Sequence, residues 1–130
     1  MKIMLLNNFY EITDTSEENS LHIFKITLNP LHRIYEGHFV GHAIVPGVCT
    51  LQMIKDCAEK IGKEQYMYGR ISSAKFLSLV DPNENQLIQL NISLKEIEDN
   101  QISLVAEGLY QNTETAFIKV KATLNKIDND

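Results

Sequence analysis

His38, the Pro46-Gly47 step and Gln52 are the residues whose types and spacing could do chemistry in this chain. A histidine between Gly37 and Gly41 is a neutral imidazole near physiological pH and can take a proton. Eight residues later Pro46 suits the first position of a helix, where its missing N–H is not needed. Gly47 follows, with no side chain to keep a ligand from its N–H. A helix start presents unpaired N–H groups and partial positive charge. An acyl carbonyl buried there is polarised, an oxyanion-type effect worth about 3 kcal/mol per donor in a transition state. Base and donor together could remove a proton from the carbon beside that carbonyl. Spacing alone leaves the plainer alternative open, in which His38 is a hydrogen-bonded structural histidine and Pro46-Gly47 only a helix start. His42 is a weaker catalytic candidate, and a His38/His42 metal site lacks an accompanying carboxylate or cysteine cluster. His22 and His32 fit no constellation.

One helix and several strands must position these groups. From Val48 to Ile61 the residues Val48, Leu51, Ile54, Ala58 and Ile61 fall at helical spacing, and Met53 and Cys57 widen the stripe. Lys55, Asp56, Glu59 and Lys60 appear only in the second half. The first half is therefore expected to be nearly all buried and the second to emerge, with Gly62 as the stop. Upstream, residues 8–14 read as a first strand, 15–20 as a polar turn, and Leu21 to Leu28 as a strand with Phe24, Ile26 and Leu28 on one face. Leu31 to Glu36 has room for one helical turn. Downstream, a strand lies within Tyr66 to Leu79, and residues 81–85 form a turn-rich loop. Ile88 to Leu94 alternates, residues 98–101 turn, and Ile102, Leu104, Ala106 and Tyr110 share a face. Residues 111–114 turn again, Ala116 to Leu124 makes the last strand, and the tail from Lys126 is expected to fray. Short turns force antiparallel pairing. One helix against a long antiparallel sheet is an α+β layer architecture, and one helix cannot cover it, so dimerisation through a strand edge is expected.

Residues 1–130 read as a single domain, long enough for a core without disulfides or metal. No apolar stretch spans a bilayer, and the run within Met1 to Leu6 is short for a signal-peptide core, so the chain reads as cytoplasmic. Cys49 and Cys57 would lie about 12 Å apart along a helix, too far for a disulfide, and read as small core residues. A formal net charge of −5 argues against nucleic acid as the main partner.

The pattern Gly37-His38-Phe39-x-Gly41-x-x-x-x-Pro46-Gly47-Val48 resembles the signature of bacterial 3-hydroxyacyl-acyl-carrier-protein dehydratases of the hot-dog superfamily, the FabZ and FabA type. Ala74-Lys75-Phe76, Asp81-Pro82 and Gln86-Leu87 are similar to their downstream strand and proline loop, and Leu28-Asn29-Pro30 to Tyr35 to the segment entering their histidine. The resemblance covers residues 21–124. It implies a hot-dog fold, a curved antiparallel sheet wrapped around one long central helix, in a homodimer or higher homo-oligomer with acyl tunnels between subunits. It assigns His38 to catalysis, acting across the subunit interface with a residue of the other subunit's helix, and the Gly47 amide to the thioester carbonyl, with Phe39, Pro46 and Val48 as further substrate-binding positions. It also implies a substrate carried on the phosphopantetheine of an acyl carrier protein, no metal or redox cofactor, and elimination of water to a trans-2-enoyl thioester in fatty-acid or polyene-type biosynthesis.

Three positions depart from the family. Val40 and Ala43 stand where prolines are common. Gln52 stands where the family has its carboxylate, fourteen residues after the histidine, and an amide cannot transfer a proton as a carboxylic acid can. Asp56, Glu59 and Glu36 are the carboxylates near enough to consider as substitutes. Three functions follow: an active dehydratase in which His38 moves both protons and Gln52 orients the hydroxyl; a weakly active or non-catalytic subunit that pairs with a carboxylate-bearing hot-dog partner; or an acyl thioesterase. Arg33, Lys55, Lys60, Lys63, Arg70 and Lys75 are candidates for docking an acidic carrier protein.

Overall fold

The computed structural model describes residues 8–36 and 43–127. Six strands and one long helix follow in the order β1 (Tyr10–Glu18), β2 (Leu21–Leu28), α1 (Gly47–Gly62), β3 (Tyr66–Phe76), β4 (Leu87–Glu98), β5 (Gln101–Tyr110) and β6 (Ala116–Lys126). A 3-10 turn at Arg33–Tyr35 fills the segment where one helical turn was expected. All strands pair antiparallel in one sheet of order β1-β2-β4-β5-β6-β3. The α+β reading holds.

The sheet lays one face on α1. Phe24, Ile26 and Leu28 of β2, Ile88, Leu90 and Ile92 of β4, and Ile118, Val120 and Leu124 of β6 are buried, as the alternation predicted. From the helix come Cys49, Met53, Ile54, Cys57 and Ala58. Each large apolar side chain so enclosed contributes about 1.5–3 kcal/mol. Both cysteines are free and buried, as expected.

Several local expectations are corrected. Residues 15–18 are not a turn: β1 continues to Glu18, paired with Leu21. The turn is only Asn19-Ser20, with φ of 52° and 71°. Two consecutive positive-φ residues suit a tight hairpin, so the polar run marked an exposed strand. Of the predicted stripe Met53, Ile54, Cys57 and Ala58 are buried, but the buried face turns from Val48 and Leu51 toward Cys49 and Thr50. It runs along Cys49, Met53 and Cys57 for the length of the helix, and Val48 is 73% exposed. The apolar face of α1 is wider than its own sheet covers. The first half of α1 is thus not nearly all buried, and Cys57 and Ala58 keep the second half in the core. The helix stops at Gly62 as expected, but the left-handed cap is the next residue, Lys63, φ 57°. Gly62 also serves packing: a Cβ there would run into the hydroxyl of buried Tyr66. Lys126 does not fray; its N–H donates to the Asn100 carbonyl and its ammonium meets Glu96 at 2.8 Å.

The two sheet edges differ. β1 carries Glu11, Asp14, Glu17 and Glu18 and a register break between Ile12 and Asp14. β3 and the residues just after it expose Met67, Ile71, Phe76 and Leu77.

Candidate active site

Pro46 precedes α1 with extended backbone, φ −62° and ψ 142°, and its carbonyl accepts from Cys49 N–H at 2.9 Å and Thr50 N–H at 3.3 Å. No side chain caps this end. The N–H groups of Gly47 and Val48 have no intrahelical acceptor. Val45 N–H donates to the Val80 carbonyl at 2.9 Å, which ties the helix entry to the loop after β3.

A cavity of about 290 Å³ opens beside this helix start. Gly47, Thr50 and Ser78 line it with Phe76, Leu79 and Phe117. The Phe76 ring lies close over Gly47: a Cβ on Gly47 would be 2.9 Å from ring carbon Cε1. The Tyr110 hydroxyl donates to the Leu79 carbonyl at 3.1 Å and lies 2.7 Å from Ser78 Oγ. Its single proton is thereby spent, so Ser78 donates to Tyr110 and keeps its lone pairs. The cavity can therefore hold an apolar acyl or thioester segment with its carbonyl at the Gly47 N–H.

His38, Phe39, Val40 and His42 lie outside the described residues. Of the other positions named from sequence, Pro46 and Gly47 form the helix start, Val48 projects to solvent beside them, and Gln52 stands half-buried on the next turn. Gln52 Nε2 donates to Asp56 Oδ1 at 2.8 Å, and Asp56 Oδ2 accepts from the Tyr10 hydroxyl at 2.9 Å. On the same helix Leu51 C=O accepts from the Tyr68 hydroxyl at 2.7 Å. Burial, and then the charge of Asp56, raises the pKa of both tyrosines above the ordinary phenol value. Tyr35, in the 3-10 turn, is also shifted upward by burial. Its buried hydroxyl has no hydrogen-bond partner among the described residues.

The considered substitutes for a carboxylate at position 52 separate clearly. Asp56 touches Gln52. Glu59 accepts from Lys55 at 3.3 Å and from Tyr66 N–H at 3.0 Å. Glu36 is exposed. Lys55, bonded also to the Tyr66 carbonyl and only 16% exposed, is not a docking residue, whereas Arg33, Lys60, Lys63, Arg70 and Lys75 are exposed. His32 Nδ1 accepts from Ile34 N–H, and His22 sits 4.0 Å from Glu17, so neither belongs to the site. The sequence reading missed Tyr10, Tyr68 and the Phe76 cover. The Gln52–Asp56 pair was within reach, since residues four apart on a helix are neighbours. The tyrosines come from strands far along the chain, and no local pattern announces them.

A helix held in an antiparallel sheet, with an open helix start beside an apolar cavity, is the hot-dog fold. One chain of "The Dehydratase Heterocomplex ApeI:P from Xenorhabdus doucetiae" superposes with a TM-score of 0.69 over 88% of this chain and 96% of that one, at 15% identity. The putative thioesterase yhdA from Lactococcus lactis superposes with a TM-score of 0.65 over 98% and 99%, at 14% identity. The ApeI-like family, described as ApeI dehydratase, matches residues 13–115, and the chain belongs to that family. The 3-hydroxyacyl-[acyl-carrier-protein] dehydratase FabZ of Lactobacillus helveticus is 29% identical over 91 residues, 64% of this chain and 58% of that protein. That of Wolbachia pipientis is 38% identical over 63 residues, 43% of this chain and 44% of that protein. The chain spans about half the length of the curated relatives it matches. Among the described residues no helix is long and apolar enough to cross a membrane.

Proposed function

We propose that this chain dehydrates 3-hydroxyacyl thioesters to trans-2-enoyl thioesters, the substrate being delivered on the phosphopantetheine of an acyl carrier protein. The observation that carries the reading is the dehydratase-family match across residues 13–115, which includes both His38 and the α1 start. The thioester carbonyl rests on the Gly47 N–H, where the cavity admits it and the helix start favours negative charge. His38 takes the α-proton, the C3–O bond breaks with its electron pair leaving on oxygen, and His38 returns the proton so that water departs. Gln52 of the other subunit's α1 holds the 3-hydroxyl across the interface, since Gln52 does not line the cavity of its own chain. Phe39 and Val48 flank the acyl chain. No metal or redox group takes part in this scheme.

The working unit is a homodimer joined along β3 and the uncovered flank of α1. Exposed Val48, Met67, Ile71, Phe76 and Leu77 support this, being apolar side chains on that helix and on or just after that strand. The test is enoyl formation from 3-hydroxyacyl thioesters of several chain lengths. Loss of a general acid–base group typically costs about 10²–10⁴-fold, so His38→Ala should lose at least the lower figure. No turnover by the purified chain on any such substrate refutes the reading.

Gln52 favours one second reading: a subunit whose partner hot-dog chain supplies the carboxylate. The structural neighbour named as a heterocomplex of ApeI and P supports considering it. Activity that appears only after co-purification with a Glu- or Asp-bearing chain distinguishes the two.

A further inference from the structure

We infer that Asp56 is a positioning residue that fixes the Gln52 amide with its carbonyl oxygen, not its N–H, toward the substrate. The inference rests on the dehydratase reading above and specifies how a site with an amide at position 52 can work. Gln52 and Asp56 are four residues apart on α1, on the flank away from the buried stripe and from the cavity beside Gly47 and Thr50, so the substrate they face is the one held at the other subunit's helix start in the homodimer proposed above. Gln52 Nε2 stands 2.8 Å from Asp56 Oδ1. A carboxylate only accepts hydrogen bonds, so it is the NH₂ branch of the amide that must face Asp56. The other carboxylate oxygen is held by the Tyr10 hydroxyl at 2.9 Å, so β1 braces Asp56 from outside the helix. Gln52 Oε1 is left without a partner among the described residues.

The chemical consequence is definite. Oε1 can accept a hydrogen bond from the substrate's 3-hydroxyl and orient its C–O bond. It has no proton to give to the leaving oxygen, so that proton is the one His38 took from the α-carbon. Position 52 then orients while His38 transfers, and Asp56 acts only through Gln52.

Three variants of the full chain test this, with kcat, KM and thermal midpoint measured together. Asp56→Ala frees the amide. Misplacing an orienting group can cost up to about 10²-fold, and kcat should fall roughly ten- to a hundred-fold with KM changed less than about threefold. Tyr10→Phe leaves the Gln52 bond but removes the brace, and should give a smaller loss in kcat. The exchanged pair Gln52→Glu with Asp56→Asn restores the geometry: the Asn amide donates to the new carboxylate, its carbonyl accepts from Tyr10, and a carboxylate oxygen again faces the substrate. That pair should bring kcat back to at least about a third of the wild-type value, and any rise above wild type is proton transfer by the new carboxylic acid. An Asp56→Ala enzyme with unchanged kcat overturns the inference, as does an exchanged pair that regains the thermal midpoint without regaining kcat. A readout independent of turnover is the Gln52 side-chain amide resonance, assigned by its loss in Gln52→Glu. It should shift in Asp56→Ala, and an unmoved resonance overturns the inference even in an active enzyme. A resonance that shifts as expected in a wild-type chain without turnover instead overturns the dehydratase reading, and the catalytic role of Gln52 with it.

Discussion

Replacing Gly47 by Ala separates the chemistry of the helix start from its packing. The added Cβ would meet Phe76 Cε1 at 2.9 Å and Cζ at 3.0 Å. That is too close by a few tenths of an ångström, but only the far ring carbons of Phe76 are involved and the side chain is 55% exposed within one chain, so the ring can give by that amount. Its displacement costs less than the roughly 1–3 kcal/mol of a closed core. Against this, Ala in place of Gly favours the helix by up to about 1 kcal/mol. The two effects oppose and should nearly cancel. The thermal midpoint should stay within about 4 °C, the shift corresponding to about 1 kcal/mol in a domain of this size. Function should respond very differently. The methyl group stands beside the Gly47 N–H, where the thioester carbonyl is to rest. Losing one such donor costs about 10²–10³-fold. Steady-state kcat/KM on a 3-hydroxyacyl thioester, measured beside thermal unfolding, decides the matter. An intact midpoint with kcat/KM within about threefold of wild type refutes the role given to Gly47. A fall of more than about 8 °C refutes the argument that Phe76 yields.

Gly62→Ala should behave in the opposite way, because its Cβ would run into the hydroxyl end of Tyr66, a residue only 1% exposed with little room to give. A loss of about 2–3 kcal/mol is expected by thermal or urea unfolding, with the remaining folded enzyme fully active. A stability equal to wild type would show that the α1–β3 corner has slack. Burial pushes the Cys57 thiol up to about 12 and raises that of Cys49. Because the thiolate is the reactive form, a thiol reagent at pH 8 should label both residues only as fast as the chain unfolds, and rapid labelling without denaturant would contradict this. Tyr10, Tyr35 and Tyr68 are all shifted above the phenol value of 10.0, chiefly by burial. The folded state thus favours the protonated phenols. Their contribution is fully present below about pH 10 and is lost as pH rises through the higher folded values. The urea midpoint should fall between pH 9 and pH 11, and an unchanged midpoint would refute this.

What the sequence made legible was what local chemistry enforces. Alternation in Phe24-x-Ile26-x-Leu28 and Ile88-x-Leu90-x-Ile92 names the buried face, because successive strand residues must point opposite ways. Pro46-Gly47 names the helix start, because few other pairs suit that backbone. The helix orientation was not legible. With Cys49, Met53 and Cys57 apolar as well as Val48, Leu51 and Ile61, the apolar face is wider than one stripe, and only the sheet chooses which part of it is buried. Strand order was equally hidden: β3 precedes β4 in the chain but pairs with β6 at the far edge. At the site, Gln52 was recognisable as a departure from the family, yet Tyr10, which holds its neighbour Asp56, lies 46 residues before that aspartate, on the opposite edge strand from Tyr68. A contact of that separation is fixed by packing and leaves no periodic trace.

The unlike edges of the sheet bear on how far association can go. A sheet with two adhesive edges invites open-ended growth. Here the acidic, bulged β1 repels a neighbouring strand, while β3 offers apolar side chains. Two chains joined along β3 leave a β1 at each end of the combined sheet. The homodimer proposed above would in this way terminate itself at two, its stoichiometry set by charges on the side of the molecule that makes no contact.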